Sequence, residues 1–164
     1  IVRDPGIRSK VAVFTDQEGI DPQGSCIGQR GVRITNIMNE LGTEKVDIIL
    51  WSDNPAKFIS NALSPAKTLE IKINNKSKEA SVFVDDDQLS LAIGREGKNV
   101  KLAAMLTGFM ITITSPTLKG KVISSDANVN DMYDTLSIVR EKVEKEEKTN
   151  NIKEEENSKS EPTE

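Results

Sequence analysis

Apolar and polar positions alternate, cluster and stop in two similar series along this chain. Ser9 to Phe14 (SKVAVF) alternates apolar residues and predicts a strand. Asp21-Pro22 then supplies an N-cap followed by proline at the first helical position, and Gly28 stops the short helix so begun. After Gly31, residues Ile34, Ile37, Met38 and Leu41 fall at i, i+3, i+4 and i+7, one face of an amphipathic helix that Gly42 ends. Lys45 to Trp51 (KVDIILW) is rich in β-branched residues and predicts another strand.

A second series starts at once. Asn54-Pro55 caps a helix carrying Phe58, Ile59, Ala62 and Leu63, which Pro65 closes. Leu69, Ile71 and Ile73 alternate with charged neighbours, INNKSKEA turns, and ASVFVD returns as the partner strand. Asp87 is the expected cap of a short helix with Leu89 and Ile93, ended by Gly94. The next helix carries Val100, Ala103, Ala104 and, less regularly, Leu102 and Leu106; Gly108 ends it, and FMITIT forms a last strand. The order is helix-strand-strand-helix-helix-strand. The first series shows the last four of these elements clearly, with IVRDPG as the tail of a first strand and its helix expected before Ile1.

Each series has a Gly-x-x-Gly between its paired helices, Gly28/Gly31 and Gly94/Gly97. Glycine lets the backbone turn tightly and approach a ligand closely. The helix that follows offers free N–H groups and a partial positive charge, so each loop is an anion cradle. Gln29-Arg30 and Arg95-Glu96 fill the variable positions, and Arg33, Lys98 and Lys101 follow on the helices. Taken singly, Arg30, Arg33, Lys98 and Lys101 read as solvated helix faces, and one Gly-x-x-Gly as a turn. Repetition in a matched context selects the functional reading. Cys26 is expected as a small buried packing residue, and Trp51 as a core or interface anchor.

Composition narrows the chemistry. Histidine is absent and cysteine occurs once, which removes the usual zinc sites and the imidazole-dependent catalytic arrangements. No cofactor or metal is expected. A single cysteine suits a reducing cytoplasm. No apolar run approaches the roughly 20 residues needed to span a bilayer, and no secretory signal is visible. The chain opens without Met, so a fragment is expected. Residues 144–164 hold eight acidic and four basic residues, the whole of the net charge of −4. The body is therefore balanced, and any basic footprint must be local. The tail has the composition of a disordered segment, preceded by a candidate short helix with Met132, Leu136, Val139 and Val143 on one face. Neither a Walker loop nor a G-x-G-x-x-G fingerprint occurs. Aromatics are only 4% of residues, too few for the sheet-stacking RNA modules.

One single-strand module works without aromatics: the KH domain, whose GXXG loop clamps about four backbone nucleotides. RSKVAVF, DPQGSCIGQRG, KVDIILW, NALSPAK and DDQLSLAIGREGKNVKLAAMLTG resemble the tandem KH region of the NusA family of bacterial transcription elongation, termination and antitermination factors. The resemblance runs from about Ile1 to Ser115. It implies an α+β fold of two tandem prokaryotic-type (type II) KH domains, the first truncated at its N-terminus: residues 1–52 and 53–115, with 116–164 as linker, short helix and largely disordered acidic tail. It implies a monomeric, cytoplasmic, non-enzymatic module that holds nascent single-stranded RNA. The RNA-binding set would be Gly28, Gln29, Arg30, Gly31, Arg33, Gly94, Arg95, Glu96, Gly97, Lys98 and Lys101, with Ile27 and Ile93 against the bases. RNA polymerase and other Nus-type factors would be partners, mainly through regions absent here. Three alternatives compete. A KH pair serving the ribosome or RNA decay is disfavoured by NALSPAK and the close pairing of the copies. A metal-dependent phosphotransfer enzyme or nuclease would have to use the Asp85-Asp86-Asp87 cluster, which reads better as a strand exit and helix cap. A protein-only scaffold would show no salt-sensitive RNA affinity.

Overall fold

The computed structural model describes residues 1–118, 123–126 and 141. The candidate helix around Met132–Val143 and the acidic tail lie outside the described residues, apart from Glu141.

The first unit runs β1 (Val2–Asp4), β2 (Arg8–Val13), α1 (Pro22–Ile27), α2 (Val32–Leu41) and β3 (Lys45–Leu50). Its sheet has the order β1-β2-β3. β1 is antiparallel to β2, and β2 is parallel to β3 in the register Val11 to Ile48. Parallel neighbours need a crossover, and α1, the glycine loop and α2 are that crossover. The second unit repeats the plan behind a leading helix: α3 (Pro55–Ala62), β4 (Glu70–Asn74), β5 (Glu79–Phe83), α4 (Asp86–Ile93), α5 (Lys98–Thr107) and β6 (Met110–Thr114). β4–β5 is antiparallel and β5–β6 parallel, as in the first unit. Past the expected end of the domain, a fourth strand β7 (Ile123–Ser124) pairs antiparallel with β6, and Ile123 is buried there.

The caps follow the sequence with one correction. The side chains of Asp21 and Asn54 accept from Gln23 N and Lys57 N at the starts of α1 and α3. The start of α4 lies two residues earlier than expected: Asp85, not Asp87, is its N-cap, and makes no side-chain cap bond. Asp86 instead accepts from the backbone N–H and hydroxyl of Thr117, at 3.2 and 2.7 Å. That contact ties the post-β6 turn to α4, a pairing that helix periodicity cannot reveal.

The core lies mainly in the second unit, where Ile59, Leu63, Val82, Leu89, Ile93, Val100, Ile111 and Ile113 are fully buried. Ile49 of β3 joins the same cluster. Helix α5 is packed by α3, α4 and β6 of its own unit and by β1 and β2 of the first, so Leu102 and Ala103 are buried as well as Val100. Helix α2 packs chiefly on α1 and β3. Of its five apolar residues only Ile34 is buried, and Val32 and Ile37 are half exposed.

The junction between units is polar, which the apolar pattern did not foretell. Asn61 donates to Leu50 O at 2.8 Å, and the buried Lys10 ammonium lies 3.0 Å from Asp47 and 3.4 Å from Ser64 O. Burial pushes the Lys10 ammonium below its ordinary pKa, and Asp47 partly restores it. Burial opposes the Asp47 charge too, but hydrogen bonds from Arg8 and Lys10 outweigh it and hold that carboxyl below the usual range. A buried charge needs such partners, since an unpaired one is costly. Nearby, Arg3 binds Glu44 through both carboxylate oxygens at 2.7 and 2.8 Å. Hydrogen bonds from Arg3 first, then from Ser9 and the Gly6 N–H, hold the Glu44 pKa at about 2.

Candidate nucleic-acid interface

The two glycine loops have nearly the same backbone although their variable residues differ. Gly28 has φ 77, ψ 169 and Gly94 φ 75, ψ 172. Gly31 and Gly97 are left-handed, at φ 76, ψ 12 and φ 71, ψ 11. Between them Arg30 (φ 53, ψ 24) and Glu96 (φ 53, ψ 27) also sit in the left-handed region. Positive φ is uncommon for side chains of this size and is retained where surroundings over-determine it. Space reinforces the choice of glycine at the first position. A Cβ on Gly28 would come within 2.7 Å of Arg33 Cγ, and one on Gly94 within 2.7 Å of Asn99 Cβ and 2.9 Å of Asn99 N.

Each loop delivers the chain into the N-terminus of a ten-residue helix, α2 or α5. The first N–H groups of a helix have no partner within it and point at whatever lies beyond. Neither helix start is capped by a side chain. The loop's own turn engages the entry N–H groups instead: Gly31 donates to Gly28 O and Val32 to Gln29 O, and likewise Gly97 to Gly94 O and Lys98 to Arg95 O.

The predicted residues assemble into two clusters that differ in charge. Around the first loop, Gln29, Arg30 and Arg33 are exposed, and Arg33 donates to Ser25 O at 2.9 Å. Among the described residues no carboxylate lies within ion-pair distance of Arg30 or Arg33. An open groove of about 790 Å³ adjoins this loop, walled by Gly24, Ser25, Gly28 and Val32 on one side and by Gly19 to Asp21 of the β2–α1 connection on the other. Ile20 and Val32, half exposed, are its apolar lining. Sequence reasoning passed over both; an apolar residue beside a glycine in a polar connection was the available signal for Ile20.

The second cluster is charge-matched. Arg95 lies 3.6 Å from Glu96, and Lys98 lies 2.6 Å from Asp4 of β1. The Asp4 hydrogen bond raises the Lys98 ammonium above its ordinary pKa. Lys101 is partly buried one turn further along α5. A cleft of about 430 Å³ lies here, lined by Gly94 to Glu96, Lys98 and Asn99 and, from the first unit, by Gly6 to Arg8 and Thr43. Residues β5 to α4 are joined too directly to supply a wall like that of Gly19–Asp21, and the first unit stands in its place. Ile27 is partly exposed, but Ile93 is fully buried in the core and does not line a groove. Asn99, next to the loop, is buried and donates to Leu63 O, Leu91 O and Ala92 O at 2.9 to 3.2 Å.

Other expectations need correction or placement. Cys26 is exposed, because the six-residue α1 buries none of its residues. Trp51 is 40% exposed and stacks at a tilt on the still more exposed Phe14, with centroids 5.6 Å apart, so it is a surface aromatic pair and not a core anchor. The Asp85–Asp87 run is dispersed: Asp86 binds Thr117, and Asp87 accepts from Gln88 at 2.7 Å. Among the described residues no group of three or more His, Cys, Asp or Glu could hold a metal ion. No described helix is long and apolar enough to cross a membrane.

Two units of strand-strand-helix-Gly-x-x-Gly-helix-strand on one chain define a tandem KH protein. Residues 1–51 match the NusA-like first KH domain, and residues 55–120 the NusA-like second KH domain. The chain thus carries the two KH domains of the NusA family, in the family's own order. It is 50% identical over 117 residues to a Bacillus subtilis transcription termination/antitermination protein NusA, covering 71% of this chain and 32% of that one. It is 55% identical over 111 residues to the Thermus thermophilus protein of the same name, covering 68% and 29%. The Mycobacterium tuberculosis protein is 50% identical over 114 residues, covering 69% and 33%. The chain therefore spans about a third of the length of these relatives.

Proposed function

We propose that this chain is a non-enzymatic clamp for single-stranded RNA and serves, as its relatives' names suggest, in transcription termination and antitermination. The loops Gly28–Gly31 and Gly94–Gly97 approach phosphates through the main-chain N–H groups of their tip residues, since the four glycine N–H groups already donate within the chain. Arg30, Arg33, Arg95, Lys98 and Lys101 supply cationic contacts, with Gln29 and Glu96 at the loop tips. Ile20 and Val32, which line the first groove, face the bases, with the partly exposed Ile27 beside the loop. Phosphate contacts of this kind hold the strand in register, while the groove meets the base edges. The observation that carries the reading is the recurrence of one loop backbone, left-handed non-glycine residue included, under two different sequences. A turn with no further role would not need the same strained conformation twice.

The two RNA-binding units divide at residues 52–53. The intact factor works in the cytoplasm, and it meets RNA polymerase and other Nus-type factors mainly through regions beyond this chain. The deciding experiment is a binding titration with single-stranded and duplex RNA of equal length. A KH groove holds splayed bases, so the single strand should bind at least about tenfold tighter, or about 1.4 kcal/mol. Equal affinity for the two would refute the functional reading and leave the fold untouched.

A further inference from the structure

The two loops share a backbone but not an electrostatic state. Arg30 and Arg33 have no acidic neighbour at ion-pair distance among the described residues. At the second loop both nearest cations are matched: Arg95 by Glu96 at 3.6 Å, and Lys98 by Asp4 at 2.6 Å. The second match is the informative one, because Asp4 belongs to β1 of the other unit. Lys98 is the first residue of α5, directly after Gly97, where an ammonium would reinforce the helix N-terminus toward a bound anion. A carboxylate from 94 positions away holds it instead. Asp4 is placed by the β1–β2 pairing, opposite Arg8, and by the turn in which the Ile7 N–H donates to Asp4 O at 3.0 Å. Its position is set by the fold of the first unit rather than by a flexible side arm.

We propose that Asp4 is an internal competitor for the RNA phosphate at the second loop, so that charge-driven capture belongs to the first loop and the second closes only when Lys98 leaves Asp4. The proposal rests on the clamp reading above. Its consequence is an order of engagement. The first loop meets a strand with two unmatched guanidinium groups and releases counterions as it does so. When Lys98 turns from Asp4 to a phosphate, one matched pair replaces another and the freed Asp4 regains a counterion, so this contact contributes little to the salt dependence. The second loop then holds its strand through backbone N–H groups and the cleft walls.

A double-mutant cycle on Asp4 and Lys98, read by RNA affinity over a salt series, tests this. The chain as it stands is titrated with a single-stranded RNA long enough to reach both loops. Asp4→Asn removes the competitor while keeping the side chain's shape. Exposed ion pairs are weak, so affinity should rise by about two- to fivefold at low salt. The slope of log affinity against log salt should steepen by about 0.7, the value for one further phosphate neutralised on a single strand. In a Lys98→Gln background, Asp4→Asn should change neither quantity. Unchanged affinity and slope in Asp4→Asn would overturn the proposal. An equal gain with and without Lys98 would also overturn it, by showing general repulsion of RNA by Asp4. Unfolding curves of all four proteins guard against a folding defect; if Asp4→Asn unfolds early, Asp4→Ser replaces it in the cycle. A chain with no salt-sensitive RNA affinity would instead refute the clamp reading itself.

Discussion

Replacing the first glycine of each loop by alanine separates backbone strain from crowding, because the two sites share one and differ in the other. Gly28 and Gly94 have φ near +75 and ψ near 170, a region essentially reserved for glycine. Holding alanine there costs about 1–3 kcal/mol at either site. At Gly28 the new methyl would meet Arg33, 2.7 Å from Cγ and 3.0 Å from Cβ; the exposed side chain can swing its Cγ away, which leaves only the tight Cβ contact. At Gly94 it would lie 2.7 Å from Asn99 Cβ and 2.9 Å from the Asn99 backbone nitrogen. Asn99 cannot yield: it is buried and its amide holds three carbonyls, including Leu63 O beyond the loop. Overpacking against fixed atoms adds about 1–3 kcal/mol. Gly94→Ala should therefore destabilise by about 2–6 kcal/mol and exceed Gly28→Ala by about 2 kcal/mol. Urea unfolding followed by circular dichroism and by Trp51 fluorescence measures both. Equal costs would refute the crowding argument, and a cost below about 1 kcal/mol at both sites would refute the strain argument as well.

Acid should weaken the fold through Glu44, whose pKa is held at about 2 against an ordinary value near 4.5. A depressed carboxylate contributes stability that is fully present above its unfolded value and fades as pH falls toward the folded one. Stability should thus drop between about pH 5 and pH 2, with Asp47 contributing in the same direction, and the drop should be shallower in Glu44→Gln; an unchanged pH profile in that variant would contradict the Arg3–Glu44 account. Cys26, exposed on α1, should react stoichiometrically with a thiol reagent without denaturant, and reaction only after unfolding would contradict its placement.

What the sequence disclosed and what it withheld have a common physical origin. Caps and breakers act within four residues, so Asp21-Pro22, Asn54-Pro55 and the two glycine pairs announced their helices and loops. Repetition made the order of elements legible, while the parallel pairing of β2 with β3 and of β5 with β6 came from the structure. Exposure was harder, because helical period gives a face but not what covers it. Ile37 and Ile34 share such a face, yet only Ile34 is buried. Cys26 and Ala92 occupy the same position in equivalent helices, two before the first loop glycine, and fare oppositely: α4 lies in the main core and α1 at its margin. Charged partners were invisible. Lys10 with Asp47, Arg3 with Glu44 and Lys98 with Asp4 are 37 to 94 residues apart, and no local pattern marks them. Strand β7 is two residues long, too short for an alternation to register.

The central claim is that both loops grip one strand, and making both loop tips acidic tests it most directly. Gln29→Asp with Arg30→Asp, and Arg95→Asp with Glu96→Asp, set carboxylates against phosphate while keeping all four glycines. Two clamps of about four nucleotides each, fixed by the junction of α5 with β1 and β2, act as one bivalent site of high effective concentration. On a long single strand each double change should weaken binding by about tenfold or more, or about 1.4 kcal/mol, with melting temperature preserved. On an RNA short enough to fill one groove, one of the two should have little effect. Full RNA affinity with both loops reversed together would show that the repeated Gly-x-x-Gly is only a turn.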